Sequence, residues 1–131
     1  MTIRGTGVRG FAKGKAFVVT DFGKRNPFEG IPEGSILVAP TISLSDSALI
    51  DFKKVVGMVT SEPDADGQVC LIATGTGIPA LVGIEGCTRN IVGGDRLLIR
   101  NLDLVVNPDL ETVMEFEDLR AAASPQLRFD F

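Results

Sequence analysis

The sequence predicts an α/β fold, and three observations carry that reading. Apolar strand-like runs, SILVA at 35–39 and VVGMVT at 55–60, are interleaved with helix-forming stretches. The second run is apolar at almost every position, as a strand buried on both faces requires. Val69, Ile72, Ala73 and Thr76 fall at i, i+3, i+4 and i+7, the spacing of one helical face.

Residues 3–10, with scattered apolar positions between glycines, predict a short strand, and GKAFVVT at 14–20 predicts a firmer one. Pro27, Gly30, Pro32 and Gly34 make 21–34 a loop. After the strand at 35–39, SLSDSALIDFKK at 43–54 opens with Ser and Asp, which suit a helix start, and continues with helix formers. The strand at 55–60 leads to a helix at 67–76, stopped by Gly75 and Gly77 and barred from continuing by Pro79. ALVGI at 80–84 is a short strand, IVGGD a turn, and RLLIR and LDLVV form a hairpin. The last helix, 107–123, is capped by Asp109, with Glu111 in its first turn and Leu110, Val113 and Met114 on one face. The tail LRFDF at 127–131 alternates apolar and polar residues, which suits an edge strand, a docking tail or a disordered terminus alike.

Composition narrows the function. The length of 131 residues suits one domain, 1–131, with 124–131 as a tail. Aromatic content is 6%, all Phe, so a base-stacking platform is not expected. Phe11, Phe17, Phe22, Phe28, Phe52 and Phe116 read as core or loop anchors. A net charge of -4 offers no footprint for a nucleic-acid backbone. The charged, glycine-bearing N-terminal stretch is unlike a signal peptide, and no apolar run is long enough to span a bilayer, so a cytoplasmic location without membrane contact is expected. Cys70 and Cys87 match no metal spacing and read as small buried hydrophobes. The absence of His excludes phosphohistidine, Cys–His and Ser–His–Asp chemistry.

Several stretches together resemble one family. GTGVRGFAKGKAFVV is similar to the glycine-punctuated opening hairpin of enzyme I of the sugar phosphotransferase system. SILVAPTISLSDSALIDFKKVVGMVTS resembles its strand, LTPSDTA segment, short helix and second strand. IATGTGIPALVGIEG is similar to ARSLGIPAVVG, and VVNPDLETV to VNPDEETL. The resemblance, over about residues 5–119, is to the swivelling phosphohistidine (mobile) domain of phosphoenolpyruvate-utilising enzymes. It implies a compact three-layer β/β/α swivelling domain with a mixed sheet and about three helices. It also implies that the docking and phosphoenolpyruvate-binding domains of enzyme I are absent here.

In that family a Gly-Gly-x-Thr-Ser-His sequence delivers the phosphorylated His to a helix N-terminus, where free N–H groups and the helix dipole favour an anion. Aligned on GIPA, Pro63 and Asp64 stand at the two glycines, and Asp66, Gly67 and Gln68 at Thr, Ser and His. The position matching the phosphohistidine is therefore Gln68, whose amide nitrogen is not basic. Pro63 removes a donor and backbone freedom, and Glu62, Asp64 and Asp66 would repel a phosphoryl anion. Cys70 is a poor replacement nucleophile, because three nearby carboxylates raise its pKa. Asp66 as an acceptor lacks an identifiable acidic or Lys partner. Gly75–Thr76–Gly77 lacks the trailing Gly-Lys-Ser/Thr of a phosphate loop. The acidic group is too short for a calcium loop, so no metal or cofactor is expected.

The resemblance, less its nucleophile, implies a non-catalytic binding or regulatory module for a phosphotransferase-type protein partner. The loop presenting Glu62, Asp64, Asp66, Gly67 and Gln68 is then the candidate ligand or partner surface. Two alternatives stay open: a phosphotransfer subunit acting in trans, and a small-molecule binder at the helix N-terminus near Gln68.

Overall fold

The computed structural model describes residues 1–23 and 25–123. The strands are β1 (Thr2–Arg4), β2 (Thr6–Val8), β3 (Phe11–Val18), β4 (Ser35–Ala39), β5 (Val55–Thr60), β6 (Ala80–Val82), β7 (Arg96–Arg100) and β8 (Asp103–Val106). The helices are α1 (Leu44–Ser47), α2 (Gln68–Thr76), α3 (Cys87–Asn90) and α4 (Leu110–Ala123).

All eight strands form one sheet in the order β1-β8-β7-β3-β4-β5-β6-β2. It is mixed: β3, β4, β5 and β6 run parallel to one another, and the flanking pairs are antiparallel. β1 and β2 lie at opposite ends of that order, yet only Gly5 separates them in the chain. The sheet must therefore roll until its two edges meet. Gly7 makes the second edge possible: its φ is +138°, and a Cβ there would stand 2.1 Å from the Ala80 carbonyl oxygen.

The roll has two apolar faces. Inside it, Ile36, Val38, Val59 and Leu81 from the parallel half meet Leu97, Ile99 and Leu104 from the hairpin half. Outside the parallel half, Leu37 and Met58 pack beneath Val69, Ile72 and Ala73 of α2. These are the expected β/β/α layers. On the opposite outer face, α4 seats Phe116 against Leu98, Val105 and the edge of Phe11, with ring centroids 5.9 Å apart.

The structure departs from the sequence reading in four places. The strand expected at 3–10 is two strands, because each part pairs with a different edge of the roll. The helix expected at 43–54 is a single turn: Ser43 and Asp46 form a capping box, but Ile50 dives into the core and Asp51 accepts the Lys53 N–H in a turn. α3 is an additional one-turn helix, too short to leave a periodic pattern. On α4, Leu110 and Met114 face solvent, and Val113 and Phe116 form the buried contact instead. Of the two glycines expected to stop α2, Gly77 does so, at φ +74° and donating to the Ala73 carbonyl, while Gly75 lies within the helix. The tail at 124–131 lies outside the described residues.

Candidate functional site

The candidate loop sits at the carboxyl ends of the parallel strands, where open α/β sheets present their ligand sites. It leaves β5, turns through 61–67 and enters α2. Backbone bonds hold it on both sides: the Glu62 N–H donates to the Pro40 carbonyl at the end of β4, and the Gly83 N–H beyond β6 donates to the Glu62 carbonyl. The Thr60 hydroxyl also donates to the Glu62 carbonyl at 3.1 Å. The start of α2 is thus fixed by neighbours far apart in sequence.

Gly67 is the N-cap of α2, with φ +70°. It has no side chain to satisfy the free N–H groups of the first turn, so an acceptor must come from elsewhere. Asp64 supplies it. Its Oδ1 accepts from the Val69 N–H at 3.0 Å and its Oδ2 from the Cys70 N–H, also at 3.0 Å. Its backbone carbonyl accepts from the Gly67 N–H. Burial pushes the Asp64 carboxyl up, but the N–H groups of Cys70 and Val69, with the Cys70 thiol, outweigh it and hold the pKa below the ordinary 3.8. A carboxylate of the chain itself therefore occupies the N–H pair that a bound oxyanion would use.

Gln68 opens the helix, and its side chain turns towards α1. Its Oε1 accepts from the Leu44 N–H at 2.8 Å, satisfying a first-turn donor of that one-turn helix. The Gln68 carbonyl oxygen is therefore engaged in joining the two helix starts. Leu44 and Leu71 are largely exposed on either side of this contact, Leu71 one turn beyond Gln68. Glu62, Asp66 and Gly67 are exposed, and Asp64 and Gln68 are half-buried. Among the described residues, no three Asp, Glu or Cys side chains group as a metal ion needs.

Cys70 is half-buried. Burial first, and then the hydrogen bond and charge of Asp64, raise its pKa above the ordinary thiol value. A thiol so placed is a poor nucleophile near neutral pH. Cys87, in α3, is buried, and burial pushes it up to about 11. A cleft of about 670 Å³ opens beside the helix start, lined by Thr6, Gly7, Asp64, Cys70, Gly83 and Arg4. Of these, Arg4 is paired with Asp103 at 2.9 Å.

The sequence points to the loop but not to the role of Asp64 within it. The available signal is a Gly at the helix start with an Asp three residues upstream, an acceptor within reach of a cap that Gly67 cannot make. The Leu44 N–H, Thr6 and Gly83 leave no local signal, because the rolled sheet alone brings them to the site.

A family model of the PEP-utilising enzyme, mobile domain, matches residues 31–101, just over half of the chain. The chain belongs to this family. Among curated members of it, the phosphoenolpyruvate-protein phosphotransferase of Haloferax volcanii is 30% identical over 110 residues, which is 82% of this chain and 19% of the relative. That of Haemophilus influenzae is 31% identical over 98 residues, 73% of this chain and 17% of the relative. The chain thus spans about a fifth of the length of the curated relatives it matches. A solution structure of enzyme I shares the mobile-domain fold with a TM-score of 0.65 at 24% identity, covering 72% of this chain and 39% of that one. A chain of Thermococcus kodakaraensis aconitase X has a TM-score of 0.60 at 19% identity. That match covers 81% of this chain and 98% of the other, so the mobile-domain fold there makes up nearly a whole chain.

Proposed function

We propose that this mobile domain is a non-catalytic binding or regulatory module whose phosphoryl site is closed by its own carboxylate. The observation that carries the reading is Asp64 on the Val69 and Cys70 N–H groups. A phosphoryl group at this helix start would have to displace a bound anion and then face it. Gln68, at the position matched to the phosphohistidine, has no basic nitrogen to accept the group. Burial, and then the same carboxylate, raise the pKa of the Cys70 thiol.

The family supports a protein partner. The partner we propose is a phosphotransferase-type or phosphoenolpyruvate-utilising enzyme, to which the chain offers exposed Leu44 and Leu71 beside the Gln68 contact. The aconitase X chain is a precedent for this fold filling nearly a whole chain.

Incubation with radiolabelled phosphoenolpyruvate and a complete enzyme I system tests the proposal. The expected result is label on the added enzyme I and phosphocarrier, and none on this chain. Label on this chain, mapped to Cys70 or Asp66, would replace the proposal with phosphotransfer in trans.

A further inference from the structure

On the far side of the roll from Gln68, the pairing of β3 with β7 places Lys15 directly opposite Arg96, with Lys13 opposite Leu98. Like charges facing each other across neighbouring strands repel, and the ordinary remedy is a nearby carboxylate. Lys13 has one, Glu117 of α4. Among the described residues, neither Lys15 nor Arg96 is in an ion pair. Both side chains are exposed.

The two cations stand beside an apolar recess. α4 begins beyond Pro108 and first meets the sheet through Val113, leaving a cleft of about 270 Å³ among Lys13, Lys15, Arg96, Leu98, Pro108 and Val113. That size falls just below the roughly 300–1,000 Å³ of drug-sized ligand cavities, which restricts it to a small molecule. An apolar recess rimmed by two cations that are unpaired among the described residues selects for an apolar body with an anionic head. The net charge of -4 makes this pairing of cations a local exception on an acidic molecule.

We propose that this cleft binds a small organic anion, its apolar body against Leu98, Pro108 and Val113 and its anionic head between Lys15 and Arg96. The proposal is independent of the closed site at α2 and stands or falls without it.

A two-dimensional amide NMR titration of the whole chain with benzoate as the probe tests it, with benzamide as the neutral counterpart and inorganic phosphate as the bare anion. Benzoate should move the amides around Lys15, Arg96 and Val113 saturably, and more weakly as salt is added. Lys15→Gln and Arg96→Gln, both on exposed positions, should each weaken binding by about tenfold while leaving the amide spectrum folded. Benzamide and phosphate should each bind more weakly than benzoate. Equal binding of benzoate and benzamide, equal binding of benzoate and phosphate, insensitivity to both substitutions, or no movement of these amides would each overturn the proposal.

Discussion

At the residue scale the chain's chemistry turns on Asp64 rather than on Gln68. Asp64 replaces the cap that Gly67 cannot provide, so Asp64→Ala should cost about 1 kcal/mol, within the roughly 0.5–2 kcal/mol of a lost helix cap, in urea denaturation. The pH dependence carries a definite sign. Asp64 has a folded pKa below its ordinary 3.8. Its contribution is therefore present above that value and is lost as pH falls through the depressed one. The stability gap between wild type and Asp64→Ala should be full near neutrality and close below pH 3.8; a gap that widens on acidification would contradict the assignment. The acidic character of 62–66 is legible in the sequence, and repulsion of an anion is a fair reading of it. Its use as a cap is not legible, because the choice between facing water and facing α2 depends on the left-handed turn at Gly67. Cys70 shows the opposite case: sequence proximity to carboxylates predicts a raised thiol pKa, and the fold adds burial as the larger cause.

Among the elements, those with a period of their own are readable and those made by tertiary contact are not. β4, β5 and α2 lie where apolar runs and the i, i+3, i+4 spacing put them. α1 shortens because Ile50 gains more by entering the core than by extending a helix whose remaining face would lie in water. The case of α4 is instructive, since Leu110 and Met114 satisfy helical spacing yet remain exposed. The buried anchor is Phe116, fully covered by Phe11, Leu98 and Val105. Phe116→Ala should therefore cost about 3–5 kcal/mol. Leu110→Ala and Met114→Ala should each stay within about 0.5 kcal/mol of wild type in the same denaturation experiment. Equal losses at all three positions would mean that α4 seats on a different face.

For the whole molecule, a mobile-domain scaffold is intact around a helix start whose Val69 and Cys70 N–H groups are held by Asp64. The family was legible because its motifs follow one another in order along the chain, and the family match over 31–101 agrees. Closure of the roll was not, since no local pattern says that residues either side of Gly5 pair with opposite edges. If the site is closed by Asp64 and not merely short of a nucleophile, restoring the nucleophile is insufficient. Gln68→His should remain unlabelled by phosphoenolpyruvate and enzyme I, whereas Gln68→His combined with Asp64→Gly should label more; equal labelling of the two would separate Asp64 from the proposed loss of activity. The most direct measurement is an amide NMR titration that follows the Val69 and Cys70 N–H signals, first with pH and then with inorganic phosphate. Both signals should move together with a midpoint below 3.8, and neither should move when phosphate is added near neutral pH. A midpoint at or above 3.8, or saturable movement of these two amides on addition of phosphate, would contradict it.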